Sequence, residues 1–154
     1  MSTENQSVCA VVVAAGSSRR MGGENKLLLP LCGKPVLAHT LTVFQMCGAV
    51  RDIVLVCREQ DMEVYRTLAA ENGITKLRTL TRGGDTRTES VLAGVSAASE
   101  ACALVAVHDG ARPLVSDEVI TQAVAEAAKT GAAAPVVPVK DSIKRIENGK
   151  IAAD

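Results

Sequence analysis

Val8-Cys9-Ala10-Val11-Val12-Val13-Ala14-Ala15-Gly16-Ser17-Ser18-Arg19-Arg20-Met21-Gly22-Gly23-Glu24-Asn25-Lys26 decides how the rest of the chain is read. An apolar run over 9–14 passes directly into a loop of small residues that carries two arginines and then a lysine. A near-continuous apolar strand is what a sheet covered on both faces requires. Such a strand delivers its following loop to the carboxyl edge, where open α/β folds bind ligands. Small residues let backbone N–H groups approach an anion, and the cations add charge. The combination suits a polyphosphate.

Outward from this stretch, strand and helix signals alternate. Pro35 opens a helix to about residue 47, with Val36, Leu37, Thr40, Leu41 and Phe44 at helical spacing. Residues 53–57 read as a second buried strand and 60–71 as an amphipathic helix ended by Asn72-Gly73. A short strand over 77–80, a loop at Arg82-Gly83-Gly84-Asp85-Thr86-Arg87 and a helix over 88–98 follow. Next come a strand over 103–107 and a polar loop at His108-Asp109-Gly110-Ala111-Arg112-Pro113. Ser116 caps a helix that begins Asp117-Glu118 and ends near Gly131. A fifth strand is expected over 132–137, and a hairpin around Asn148-Gly149 within 141–151. Repeated β-α units imply a mainly parallel sheet. The expected fold class is α/β, a Rossmann-like three-layer sandwich with a C-terminal β-hairpin arm that is cut short. Residues 1–138 form the α/β domain and 139–154 the start of the arm.

Composition narrows the function classes. At 154 residues the chain is one domain by length, and 47% hydrophobic with 22% charged residues is globular. One Phe, one Tyr and no Trp require an aliphatic core and argue against base stacking on aromatic platforms. Seventeen acidic against seventeen basic residues give no bulk attraction to nucleic acid or an anionic membrane. Five cysteines, with no C-x-x-C pair, read as small buried hydrophobes in a reducing compartment. Without a signal-peptide pattern or an apolar run of membrane-spanning length, the expected location is the cytoplasm.

In a parallel sheet all strand carboxyl ends share one edge, so the loops after the first, third and fourth expected strands converge on one crevice. They bring Gly16, Arg20 and Lys26, then Gly84, Asp85, Arg87 and Ser90, then Asp109, Gly110 and Arg112. Backbone donors, cations and a carboxylate suited to Mg²⁺ are the parts that phosphoryl and nucleotidyl transfer use. Plain structural roles stand beside these readings. Gly16 could serve only the turn, Asp85 could cap the next helix, Arg112 could pair with Asp109, and His39 and His108 could simply pack. No G-x-x-x-x-G-K-[ST], G-x-G-x-x-G, H-E-x-x-H or G-x-S-x-G pattern occurs, which disfavours P-loop, dinucleotide, zinc-protease and serine-hydrolase chemistry.

Ala14-Ala15-Gly16-Ser17-Ser18-Arg19-Arg20-Met21-Gly22 with Lys26 resembles the signature loop of sugar-phosphate nucleotidyltransferases. Gly83-Gly84-Asp85-Thr86-Arg87-Thr88-Glu89-Ser90-Val91 and His108-Asp109-Gly110-Ala111-Arg112-Pro113 narrow the resemblance to the 2-C-methyl-D-erythritol 4-phosphate cytidylyltransferase family, over residues 8–145. The resemblance implies transfer of CMP from CTP to a polyol phosphate with Mg²⁺, releasing pyrophosphate in non-mevalonate isoprenoid biosynthesis. It assigns Arg20 and Lys26 to the triphosphate and transition state, and the backbone of Ala14, Ala15, Gly16 and Ser17 to the nucleotide. Gly84, Asp85, Ser90 and Gly110 would complete the nucleotide site, Asp109 would face the metal, and Arg112, Ser142 and Lys144 would face the polyol phosphate. A homodimer sharing the hairpin arm is implied for the full-length protein. Ribitol-5-phosphate cytidylyltransferases share most of these blocks, and an inactive nucleotide-binding fragment is the alternative from another class. Two departures stand out: Ser18 replaces a usual glycine and Ser142 a usual threonine. The family also runs on for roughly half as much chain again, so this chain is expected to bind nucleotide and to catalyse poorly or not at all.

Overall fold

The computed structural model of the chain describes residues 7–16, 24–140, 144–147 and 150–151. In chain order its elements begin with β1 (Val8–Val13), a two-stranded ribbon of β2 (Pro30–Leu31) and β3 (Lys34–Pro35), and α1 (Val36–Met46). They continue with β4 (Val50–Cys57), α2 (Met62–Glu71), β5 (Leu77–Arg82), α3 (Arg87–Ser96), β6 (Leu104–Asp109) and α4 (Asp117–Thr130). Two short strands, β7 (Ile146–Glu147) and β8 (Lys150–Ile151), pair antiparallel; the Asn148-Gly149 turn expected between them lies outside the described residues. The main sheet has the order β5-β4-β1-β6, and every pair in it is parallel. The expected parallel α/β architecture is the one observed.

β1 is central, and Val8 to Val12 are completely buried. Successive side chains of a strand point to opposite faces, and β1 serves two cores in this way. Ala10 and Val12 join Leu37, Leu41 and Phe44 of α1, Tyr65 and Leu68 of α2, and Ile120 of α4. Cys9 and Val11 join Val54 and Val56 on the other face, under Ala97 and Ala98 at the end of α3. Gly94 lets α3 lie close to this second face, because a Cβ there would overlap Val11 Cγ1 and Val56 Cγ2. The aliphatic core anticipated from composition is thus real, with one phenylalanine and one tyrosine on the same side of the sheet.

Helix signals translate well. Ser116 accepts the Val119 N–H at the start of α4, Asp117 and Glu118 occupy its first turn, and Gly131 ends it with φ 91°. Strand limits shift by a few residues: 9–14 becomes Val8–Val13, 53–57 becomes Val50–Cys57, 77–80 becomes Leu77–Arg82, and 103–107 becomes Leu104–Asp109. Asp109 is therefore the last residue of a strand and inherits the rigidity of the sheet. Pro35 ends β3, and α1 starts one residue later. The small ribbon was not expected; Cys32 (φ 49°) and Gly33 (φ 81°) form its turn, the double positive φ that tight hairpins favour.

The fifth strand expected over 132–137 is not formed. Val136 and Val137 are 86% and 85% exposed, and the segment pairs with no neighbour. Pro135 and Pro138 remove two backbone donors, and apolar β-formers cannot sustain a strand without a ladder to join. No helix among the described residues is long and apolar enough to cross a membrane.

Candidate active site

Three backbone hydrogen bonds knit the carboxyl ends of the strands into one rim. Ala14 N–H donates to the Val56 carbonyl at 2.7 Å, Gly83 N–H to Cys57 at 2.9 Å, and Gly110 N–H to Val13 at 2.8 Å. The loops leaving β1, β5 and β6 are thereby fixed to the sheet before any side chain is considered. Thr40 of α1, fully buried, adds a fourth tie by donating its hydroxyl to the Gly110 carbonyl at 2.8 Å.

A cleft opens above this rim. Ala15 and Gly16 line it from the end of β1, Gly83, Gly84 and Asp85 from the end of β5, Arg87 and Ser90 from α3, and Asp109 from β6. The convergence expected from the sequence is therefore present for Gly16, Gly84, Asp85, Arg87, Ser90 and Asp109, and Ala15 lines the same cleft. Ala14 and Gly110 lie in the rim beneath the cleft and act through their backbones. Arg20, Ser17, Ser18 and Ser142 lie outside the described residues.

The glycines of the β5 loop are required by space. A Cβ on Gly83 would sit 2.5 Å from Ala15 Cβ and 2.7 Å from Ser90 Oγ, and one on Gly84 would overlap Glu89. Glu89 is the organiser of this loop. Its Oε2 accepts the N–H groups of Asp85 at 2.7 Å and Thr86 at 3.0 Å, while Thr86 Oγ1 accepts the Glu89 N–H at 3.1 Å. This reciprocal capping box starts α3. The cap is Thr86, not Asp85, which leaves the Asp85 carboxylate clear of the helix end. Ser90 is 3% exposed, and its hydroxyl donates to the Thr86 carbonyl at 3.0 Å.

Lys26 sits on the loop that leads into the β2–β3 ribbon, exposed beside buried Leu27. The first N–H groups of α1 reach back to this loop, Leu37 to the Leu27 carbonyl and Val36 to the Leu29 carbonyl, both at 3.0 Å. Asn25 Oδ1 accepts the Leu27 N–H at 3.1 Å, and Asn25 Nδ2 donates to Tyr65 Oη at 2.9 Å. Burial pushes the Tyr65 phenol up to about 12, so its oxygen stays a neutral acceptor for the amide.

Beside the first cleft lies a second, lined by Asp109, Ala111, Arg112, Pro113 and Leu114 together with Arg87. Asp109 stands between the two with both oxygens engaged. Arg87 donates to Oδ1 through Nη2 at 3.0 Å and Nε at 3.3 Å, and Arg112 Nε lies 3.0 Å from Oδ2. The pairing of Arg112 with Asp109, one of the plain readings, is thus observed. His108 contacts the Arg112 carbonyl at 3.0 Å and packs on Phe44. It holds the turn together. His39 likewise contacts the Leu31 carbonyl at 2.7 Å. Lys144 is exposed at the start of the β7–β8 segment.

Glu59, Asp85 and Asp109 are the carboxylates on the wall of the first cleft, and Mg²⁺ takes only one or two carboxylates beside the phosphates of its ligand. The one carboxylate on the partition already faces two guanidiniums, and no group of three His, Cys, Asp or Glu side chains converges among the described residues. Cys9 and Cys57 are not nucleophile candidates: both are buried, as expected, and burial raises both thiols to about 11, while Cys32, in the ribbon turn, is exposed against that expectation.

Sequence reasoning missed Arg58, Glu59 and Gln60, which enter the first cleft from the end of β4, and Arg82, which pairs with Glu59 at 3.4 Å. The signal was available, since polar residues at the carboxyl end of any parallel strand are candidates.

The description "IspD: 2-C-methyl-D-erythritol 4-phosphate cytidylyltransferase" belongs to a family model that matches residues 8–154. A protein of that name from Dehalococcoides mccartyi is 44% identical over 142 residues, 92% of this chain and 62% of its own length. One from Halalkalibacterium halodurans is 47% identical over 138 residues, 89% of this chain and 60% of the relative. The crystal structure of 4-diphosphocytidyl-2C-methyl-D-erythritol synthase from Anaerococcus prevotii superposes with a TM-score of 0.77 at 26% identity, over 94% of this chain and 61% of that one. The chain thus spans about three-fifths of the length of these relatives. The three loops that meet at the strand ends, the parallel order of the sheet and the match over 8–154 agree, and the chain belongs to the 2-C-methyl-D-erythritol 4-phosphate cytidylyltransferase family.

Proposed function

We propose that this chain carries the nucleotide side of a site that transfers CMP from CTP to 2-C-methyl-D-erythritol 4-phosphate. A phosphate oxygen of the polyol attacks the α-phosphorus of CTP, a new P–O bond forms, the α–β bridging bond breaks, and pyrophosphate leaves. The attacking oxygen is already anionic, so no protein base is needed. The protein's contribution is in-line positioning and stabilisation of negative charge.

In this reading Arg20 and Lys26 neutralise the triphosphate, and the backbone of Ala14, Ala15, Gly16 and Ser17 lies along it. Gly84, Asp85, Ser90 and Gly110 hold the nucleoside. Arg112, Ser142 and Lys144 face the polyol phosphate, with Asp109 between the two ligands. Mg²⁺ belongs to the reading through the family, with Asp109 as the carboxylate that would face it. Residues 1–138 act as the nucleotidyltransferase domain. Residues 139–154 begin an arm that meets a second copy of the full-length protein in a homodimer.

The observation that carries the proposal is the single cleft in which Gly16, Gly84, Asp85, Ser90 and Asp109 meet at one edge of the sheet. Titration calorimetry with CTP, UTP, GTP and ATP tests it. CTP should bind at least tenfold more tightly than the others, and Lys26→Ala and Arg20→Ala should each weaken it. Equal affinity for all four nucleotides, or indifference to both substitutions, would place the ligand elsewhere. In an assay of the full-length protein, either substitution should lower kcat by about 10²–10³, the scale of a lost charge-stabilising contact.

A further inference from the structure

Two side chains touch the space on both sides of the partition. Arg87 and Asp109 belong to the wall of the cleft under Gly84 and Ser90 and also to the wall of the neighbouring cleft under Ala111 and Arg112. Arg87 is the first residue of α3, the helix that the Thr86–Glu89 box fixes at its start, so its backbone is well anchored while its side chain is 64% exposed. A guanidinium offers five donors in a flat fork. Asp109 Oδ1 takes the Nε and Nη2 side of that fork. Donors remain on its other side.

The charge balance points the same way. One carboxylate stands between two guanidiniums, Arg87 on Oδ1 and Arg112 on Oδ2, leaving a net positive charge at the partition. An ion pair this exposed is weak, so it orients the arginine without locking it. An arginine aimed at a planar array of anionic oxygens is the usual solution for phosphate recognition.

We propose that Arg87 is a shared phosphate-binding residue: held at the partition by Asp109, its guanidinium contacts phosphate oxygens of ligands in both clefts. Asp109 is then the positioning residue that aims Arg87 and Arg112. This rests on the proposed function, in which two phosphate-bearing substrates lie side by side, and adds to it the residue across which they meet.

Calorimetry with CTP and with 2-C-methyl-D-erythritol 4-phosphate, each alone and each with the other present, tests the assignment. Arg87→Gln should weaken both ligands about tenfold and abolish the effect of one on the other, a coupling that must be equal in both directions. Arg87→Lys should recover part of both affinities, and it carries the test if the glutamine variant fails to fold. Arg82→Gln, on the wall of the first cleft alone, should change CTP binding only. An Arg87→Gln effect confined to one ligand, or absent for both, overturns the proposal while leaving the parent reading intact. Failure of the unaltered protein to bind CTP overturns both.

Discussion

The sheet carries an aspartate between two arginines at each of its edges. At the amino edge, Asp52 of β4 lies 3.0 Å from Arg78 Nε and 3.7 Å from Arg51 Nε. At the carboxyl edge, Asp109 of β6 is held by Arg87 and Arg112, each at 3.0 Å. The ion pairs are alike, but the surroundings differ. The Asp52 side chain is 9% exposed and backs onto the Cys102 thiol, with Sγ 3.9 Å from Oδ2. The Asp109 side chain is 29% exposed and lines a cleft whose Gly83 and Gly84 leave no room for a side chain. A charge triad is therefore not a site by itself. The pocket at the amino edge is walled by Cys9, Val54 and Thr79 of the strands with Ala97 and Ser99, whereas at the carboxyl edge the loops that follow four parallel strands meet in one cleft.

Four experiments can break or sharpen this contrast, in order of expected effect. Gly84→Val should be the most damaging to binding, because its side chain would displace Glu89 from the capping box. CTP affinity should fall by more than a hundredfold in calorimetry. Retained binding would mean that the tight loop is irrelevant to the ligand. Next, Asp52→Ala should cost about 1–3 kcal/mol in a denaturant titration, since the mostly buried carboxylate is the partner of two arginines, and should leave CTP binding within twofold. Asp109→Ala should do the reverse, with less than about 1 kcal/mol of stability lost and a clear loss of CTP affinity. Equal effects at the two edges would dissolve the contrast.

Glu89→Ala should cost about 1 kcal/mol as a lost cap and weaken CTP roughly tenfold, about 1.4 kcal/mol, with Glu89→Gln restoring most of both. The smallest effect concerns the buried thiols. Cys9 and Cys57 have folded values of about 11 against an ordinary 9.0. Below pH 9 both states keep these protons and stability is unaffected. Between pH 9 and 11 the unfolded chain loses them while the folded chain keeps them, so stability falls as pH rises through that window. Replacing both by alanine should flatten that part of a stability-versus-pH curve.

Much of this was legible in the sequence because the signals were local. The apolar run of β1, the Ser116 cap and the Gly131 stop each depend on a few adjacent residues, and each stands where it was expected. The meeting of Gly16, Gly84 and Asp109 was also legible, since it needs only the rule that parallel strands share an edge. What failed was what depends on a distant partner. Residues 132–137 have strand composition but no ladder, and composition cannot report that. The closeness of Gly94 to Val11 and Val56, and of Gly83 to Ala15, is a fact of packing between segments far apart in the chain. Of the two arginines on Asp109, the local Arg112 was among the sequence readings, whereas the Arg87 contact comes from a segment far away in the chain.

The hydrogen bond from Asn25 to Tyr65 has a practical consequence. The chain has one tyrosine and no tryptophan, so its ultraviolet emission comes from a single phenol. That phenol is sealed from solvent in α2, and its hydroxyl accepts from the amide that also fixes the backbone next to Lys26. The molecule thus carries a built-in optical probe of the lysine loop. A nucleotide that draws Lys26 toward its phosphates should alter the brightness or lifetime of that one fluorophore, with no label attached.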